Sequence, residues 1–253
     1  MCGIIGAASS RNVGKLLVQG LHKMEYRGYD SAGIALHQKD SIYSLRSLGK
    51  VSLLEAGMIQ ERPKSKLGIA HTRWATHGKP SEANAHPHTS SEQVHIVHNG
   101  IIENYLELRE KLTAAGYAFT SETDSEVIAH LLHQHLKASE DLLDAMHSTI
   151  TELDGAYAIA AIHLNDKDRL IVARNKSPLL IGVGMEENFA ASDPLALSQL
   201  TNKFVFLEDG DVAEINKDDY QIYSAKGVSV TREITEIDIA VNAATKGKYS
   251  HFM

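Results

Sequence analysis

The order in which patterned segments follow one another is the strongest limit on how this chain can fold. Short apolar runs come first, a block of amphipathic helices follows, and a long series of short apolar runs closes the sequence. Cys2–Ala8 reads as a buried strand, with Gly33–His37, Leu67–His71 and Val94–His98 as further strands. Asn12 stands where it can cap a helix whose one face carries Val13, Leu16, Leu17, Leu21 and Met24. The helical block begins with Tyr105, Leu108, Leu112 and Ala115 on a common face, and Gly116 is its stop signal. Thr123-Asp124-Ser125-Glu126 has the pattern of a capping box ahead of a second helix, which turns Val127, Ile128, Leu131, Leu132 and His135 inward. Glu140–Leu153 reads as a third helix. From Ala156 to Val230 the chain is mostly strands: Ala156–Leu164, Leu170–Ala173, Leu179–Val183, Phe204–Leu207 and Asp211–Ile215, each bounded by turn residues.

This order lacks the strand–helix alternation of a doubly wound parallel sheet. It predicts an α+β fold of mainly antiparallel strands, with two sheets packed face to face beneath helices. No repeat and no Pro/Gly/Ser-rich linker divides the 253 residues, so a single domain over 1–253 is expected. The excess of 32 acidic over 25 basic residues, a net charge of −7, argues against a nucleic-acid surface, because phosphate binding rests on Lys and Arg. No stretch approaches the ~20 apolar residues of a membrane span, and Gly3–Ala8 is too short for a signal peptide. One cysteine permits no disulfide within the chain, which suits a reducing cytoplasm.

That cysteine is Cys2. A thiol is a strong nucleophile only as thiolate, and with an ordinary pKa of about 8.5 only a few per cent is ionised at neutral pH. It needs a base. Removal of Met1 gives Cys2 a free α-amine with an ordinary pKa of about 7.7–8.0, so nucleophile and base sit on one residue. The bland alternative is a small apolar residue at the start of a buried strand.

Three further segments carry polar groups at strand ends, where binding residues concentrate. In His71-Thr72-Arg73-Trp74-Ala75-Thr76-His77-Gly78, Arg73 offers a planar fork for a carboxylate. Trp74, the one tryptophan, can close over a ligand, and Thr76 and His77 add donors. In His98-Asn99-Gly100, the Asn99 amide and the Gly100 N–H can stabilise an oxyanion, although Asn-Gly is equally the commonest tight-turn pair and on spacing alone is read as a turn. Asp124 is explained as well by helix capping as by binding an ammonium group. Among the 14 histidines, His86-Pro87-His88 and His130-x-x-His133-x-His135 are the best metal candidates. Their spacing matches no recognisable zinc set. A Gly-x-Ser-x-Gly elbow and a Gly-rich phosphate loop are absent from the sequence.

Taken together these segments resemble the class II, or N-terminal-nucleophile, glutamine amidotransferases, in their sugar-aminotransferase branch. The resemblance is carried by Met1-Cys2-Gly3-Ile4-Ile5-Gly6, Glu25-Tyr26-Arg27-Gly28-Tyr29-Asp30-Ser31-Ala32-Gly33 and His71–Gly78. It continues through Asn84-Ala85-His86-Pro87-His88, His98–Asn104, Ser121-Glu122-Thr123-Asp124, Leu153–Ala158, Ala191-Ser192-Asp193 and Phe206–Asp211. It spans essentially the whole chain. It implies a four-layer αββα N-terminal-nucleophile hydrolase sandwich, with L-glutamine as substrate and no cofactor or metal. It implies Cys2 as nucleophile with its own amine as base, and Asn99 with Gly100 as the oxyanion hole. It sets Arg73 on the substrate carboxylate, Asp124 on the ammonium, and Trp74, Thr76 and His77 around the pocket, with Arg27 as a support. Longer members of that branch continue into a C-terminal sugar-phosphate isomerase portion acting on fructose 6-phosphate, with a homodimer possible in that longer form. The stretch Lys246–Met253 looks like the junction to it. The alternatives are the glutaminase half of another such enzyme, or an amino-acid-binding domain without turnover.

Overall fold

The computed structural model describes residues 2–28, 30–74 and 79–238. Met1, Tyr29, the pocket candidates Thr76 and His77, and the junction-like stretch 246–253 lie outside the described residues. Strands and helices alternate early on: β1 (Gly3–Ser9), α1 (Gly14–Met24), β2 (Ser31–His37), β3 (Ile42–Leu48), α2 (Val51–Glu61), β4 (Leu67–Arg73), β5 (His88–Ser90) and β6 (Val94–Ile102). Three consecutive helices come next, α3 (Tyr105–Ala114), α4 (Glu126–Ser139) and α5 (Leu142–Glu152). The remainder is extended: β7 (Gly155–His163), β8 (Leu170–Asn175), β9 (Leu180–Val183), β10 (Glu187–Ala191), β11 (Lys203–Phe206), β12 (Val212–Ile215), β13 (Tyr220–Tyr223), β14 (Ser229–Val230) and β15 (Ile234–Glu236).

These strands make two sheets. One has the order β15-β11-β9-β10-β1-β4-β2-β3 and the other β14-β13-β12-β8-β7-β6-β5, and all the paired strands run antiparallel. Period-two alternation gives each central strand two buried faces. In β1, Ile5 and Ala7 meet Leu17, Leu21 and Met24 of α1, while Ile4 and Ala8 join Val97, Ala158 and Ala160 of the other sheet. In β7, Tyr157, Ile159 and Ala161 pack with Val127, Leu131 and Met146 of α4 and α5, and Ala158, Ala160 and Ile162 turn to the first sheet. The layers are therefore α1–α2, sheet, sheet, α3–α5, and strands buried on both faces explain the near-continuous apolar runs. No helix among the described residues is long and apolar enough to cross a membrane.

Several local expectations change. Asn12 is displaced by one residue from the helix cap. Val13 is the N-cap, and the Asn12 side-chain oxygen Oδ1 accepts instead from the Ser65 N–H at 3.1 Å and, weakly, from the Gly14 N–H at 3.4 Å. The capping box does not close. Glu126 reaches past Thr123 to accept from the N–H groups of Thr120 and Ser121 at 2.9 and 2.7 Å, and Ser125 is the N-cap but its side chain makes no capping bond. His135 is half-buried and paired with Glu152 at 2.9 Å. The true side-chain cap is Asp141, whose carboxylate accepts from Leu143 and Asp144 N–H at the start of α5, a contact type worth about 1 kcal/mol.

Candidate active site

The antiparallel register decides which strand ends meet. Gly3 pairs with Thr72, and Ser31 pairs with Arg73. The beginnings of β1 and β2 and the end of β4 thus lie together at one edge of the first sheet. Ala191 ends β10 on the other side of β1, and the loop behind it holds β1 in place. The Ile4 N–H donates to Ser192 Oγ at 2.9 Å, and the Ser192 N–H donates to the Ile4 carbonyl at 3.0 Å.

Cys2 sits at this edge, partly exposed. Its Sγ accepts from the Trp74 N–H at 3.2 Å and faces the Trp74 carbonyl at 3.6 Å. Burial pushes the thiol pKa up; the Trp74 N–H and the Arg73 charge pull against it without reversing the direction. The sulfur is thus held as thiol, and a base is required before it can attack.

Asn99 arrives from the opposite sheet. Its Nδ2 donates to the Cys2 carbonyl at 3.2 Å. Asn99-Gly100 is not a tight turn. Both residues lie inside β6, opposite Ala158 and Tyr157 of β7. Gly100 has φ +138°, and a Cβ there would stand 1.9 Å from the Ala156 carbonyl oxygen. Only glycine fits both that conformation and that approach. The pairing of β6 with β7 nevertheless continues without a break through Asn99 and Gly100.

Arg73 is almost wholly buried and ion-paired with Asp30 at 4.0 Å. The Asp30 backbone N–H in turn donates to the Arg73 carbonyl at 2.9 Å. Trp74, by contrast, is 56% exposed. Its ring lies over Gly28, where an added Cβ would stand 2.3 Å from Cε3. Arg27 points to the loop after β10, donating to the Ser192 carbonyl at 3.2 Å and to Asp193 Oδ2 at 3.1 Å. Asp124 is buried ahead of α4, and its Oδ2 accepts from the Ile102 N–H at 2.8 Å, two residues beyond Gly100. Cys2, Arg73, Trp74 and Asn99 are therefore brought together. Arg27 precedes Gly28, which lies against the Trp74 ring, and is tied to Ser192 and Asp193, and Asp124 stands at the end of the Asn99–Gly100 strand.

Motif spacing had no means of indicating Asp30, Ser192 or Asp193 as supports. Their only signal was membership in segments shared with the resembled family.

Behind these residues lies a nest of neutral histidines. Burial lowers His71 to about 3, His88 to about 3 and His95 to about 4, and pushes His86 and His98 down as well. The rings of His71 and His86 stand 4.1 Å apart, and those of His86 and His88 4.5 Å. Among the described residues no three His, Cys, Asp or Glu side chains converge as a metal-holding group. The second histidine set is split between partners, His130 and His133 on Ser90 and His135 on Glu152.

A pH dependence of stability follows. Below an ordinary histidine pKa of 6.5 the unfolded chain takes up protons that the native chain refuses, so stability must fall as pH drops toward the depressed native values. Each such histidine contributes a slope of about 1 kcal/mol per pH unit within that window. Denaturant midpoints measured from pH 7.5 to pH 5 are expected to decline steadily; a flat profile contradicts the buried neutral cluster.

Comparison with known proteins matches residues 71–199 to the glutamine amidotransferase domain family. A glutamine–fructose-6-phosphate aminotransferase (isomerizing) of Acinetobacter baylyi is 52% identical over 253 residues, covering all of this chain and 41% of that protein. The protein of the same name from Pseudomonas syringae pv. tomato is 53% identical over 254 residues, covering all of this chain and 42% of the relative. The chain therefore spans well under half the length of these relatives. Among solved structures, glutamine phosphoribosylpyrophosphate amidotransferase from B. subtilis, complexed with ADP and GMP, superposes with a TM-score of 0.76. It is 24% identical, over 88% of this chain and 49% of that one, and this shows a shared fold.

Proposed function

This chain belongs to the glutamine amidotransferase domain family, and from that membership we propose that it hydrolyses the side-chain amide of L-glutamine to glutamate and ammonia, with Cys2 as the nucleophile. The observation that carries the reading is that Cys2, the one thiol of the chain, has an amide donor from the opposite sheet held against it, Asn99 Nδ2 at 3.2 Å from the Cys2 carbonyl. Arg73 is buried at the same edge.

In the proposed reaction Met1 has been removed. The free α-amine of Cys2 takes the thiol proton, and sulfur attacks the glutamine Cδ. The oxyanion so formed is held by the Asn99 amide and the Gly100 N–H, the type of stabilisation that supplies the largest part of many acyl-transfer accelerations. The ammonium of Cys2 returns its proton to the departing nitrogen, which leaves as ammonia. Water then attacks the γ-glutamyl thioester, with the amine again accepting the proton; the C–S bond breaks, glutamate is released, and the ammonium returns its proton to the departing thiolate, restoring the free thiol and amine. Arg73 grips the α-carboxylate with two parallel hydrogen bonds. Asp124 pairs with the α-ammonium, and Trp74, Thr76 and His77 shape the mouth. Arg27, next to Gly28, supports the Trp74 side. A free catalytic thiol is suited to a reducing cytoplasm.

The relatives' names extend the reading. Joined to a sugar-phosphate isomerase portion, the domain would supply its ammonia to fructose 6-phosphate, and pairing of two such longer chains is part of the same proposal.

The Arg73 assignment has its own test. Arg73→Ala removes a charge-assisted contact worth about 1.5–3 kcal/mol, so kcat/KM for glutamine should fall about 10–100-fold, chiefly through KM. Steady-state ammonia release at varied glutamine measures this. An unchanged KM takes Arg73 out of the pocket.

A further inference from the structure

The His71–Gly78 segment contains a residue that the reaction above leaves unused. His71 is fully buried on β4, two residues before Arg73, and its ring points across the gap between the sheets. Its Nε2 lies 3.1 Å from the His98 carbonyl and 3.0 Å from Asn99 Oδ1. A backbone carbonyl can only accept, so Nε2 must carry the proton. That proton also faces the end of the Asn99 side chain, and an N–H opposite an NH₂ would leave two donors in conflict. Asn99 therefore turns its oxygen to His71 and its Nδ2 to Cys2. The far end agrees, because Nδ2 meets the Cys2 carbonyl, another obligate acceptor, at 3.2 Å. The orientation of the amide is thus set at both ends.

We propose that His71 is a positioning residue that holds the Asn99 amide with its donor toward Cys2, and so pre-forms the oxyanion site. This rests on the reading of Asn99 as an oxyanion donor. His71 is suited to the task in two ways. Burial keeps it neutral, so it donates one hydrogen bond at any working pH. Its place on β4 ties the oxyanion donor to the strand that carries Arg73, so both ends of a bound glutamine are referred to one rigid element. The neighbouring strand residues are held separately: His98 Nδ1 meets Ser125 Oγ at 2.8 Å and Ile102 N–H meets Asp124 at 2.8 Å. Losing His71 therefore leaves the Asn99 amide held at one end only, by the Cys2 carbonyl, while β6 stays anchored.

The test compares His71→Gln with His71→Asn in the full chain after Met1 removal. A glutamine amide N–H reaches about the depth of Nε2, whereas asparagine stops near the depth of Nδ1, and both are polar and of similar bulk. H71N should lower kcat for ammonia release about 10–100-fold, below the 10²–10³ of removing an oxyanion donor outright, with KM changed less than about threefold. H71Q should restore kcat to within about threefold of the starting protein. In an Asn99→Ala background H71N should cost less than about twofold more, since the group it positions is gone. Equal kcat in H71N and H71Q overturns the proposal, as does an H71N loss of undiminished size in the N99A background, the mark of a general structural defect. Full kcat in N99A alone would instead remove the oxyanion reading beneath both.

Discussion

Cys2→Ala is expected to abolish ammonia release from glutamine while leaving the amino acid able to bind. Loss of a covalent nucleophile typically costs at least about 10⁴-fold in kcat, and no other cysteine exists to substitute for it. The fold should be indifferent to the change. Cys2 precedes β1, and the strand itself is held by its pairing with β4 and β10 and by the bonds between Ile4 and Ser192. What is lost is the sulfur facing the Trp74 N–H at 3.2 Å. Calorimetric titration of glutamine into the variant, paired with an ammonia assay, separates binding from turnover. Turnover near the unsubstituted level would remove Cys2 from the mechanism.

Asn99→Ala is the second large effect. One preorganised donor is typically worth about 2.7–4 kcal/mol of transition-state stabilisation, or about 10²–10³ in kcat. The ground-state amide needs that donor much less, so KM should move little and the loss should fall on kcat. Asn99→Asp keeps the size and still offers an acceptor to His71, but it presents a carboxylate oxygen where the donor stood. It is expected to be at least as impaired as the alanine variant. A kcat within a few-fold of the starting protein in either variant contradicts the oxyanion assignment.

How much of this was written legibly in the chain depends on the kind of signal. Strands buried on both faces announced themselves, since Cys2–Ala8 and Ala156–Leu164 are nearly continuous apolar runs with no competing reading. The helices between Tyr105 and Leu153 did so through periodicity. Ile42–Leu48 and Val51–Glu61 did not. The former is an edge strand with partly exposed residues on both faces, and in the latter Leu53 and Ile59 point to solvent and blur the apolar stripe. Local chemistry misled where a tertiary partner outbid the local one. Glu126 bonds to Thr120 and Ser121 rather than closing its capping box. Asn99-Gly100 runs through a strand because β7 pairs with it residue by residue.

The candidate site divides in the same way. Cys2, Arg73, Asn99 and Asp124 were visible as residue types at strand ends or ahead of a helix. Their supports were not, because Asp30, His71 and Ser192 act through contacts 28 to 188 residues apart in sequence, and spacing carries no trace of such pairings. Thr76 and His77 lie outside the described residues, so their part stays with the proposal.

The central claim is that one thiol does the chemistry and that freeing its own amine turns it on. The measurement that bears on it most directly is the intact mass of the Met1-free chain after exposure to a glutamine analogue whose amide is replaced by an electrophilic ketone. Ammonia release is followed in parallel. The account predicts a single adduct on Cys2, gained in step with the loss of glutamine hydrolysis and absent from the chain that keeps Met1. Hydrolysis that persists after Cys2 is fully modified would contradict it.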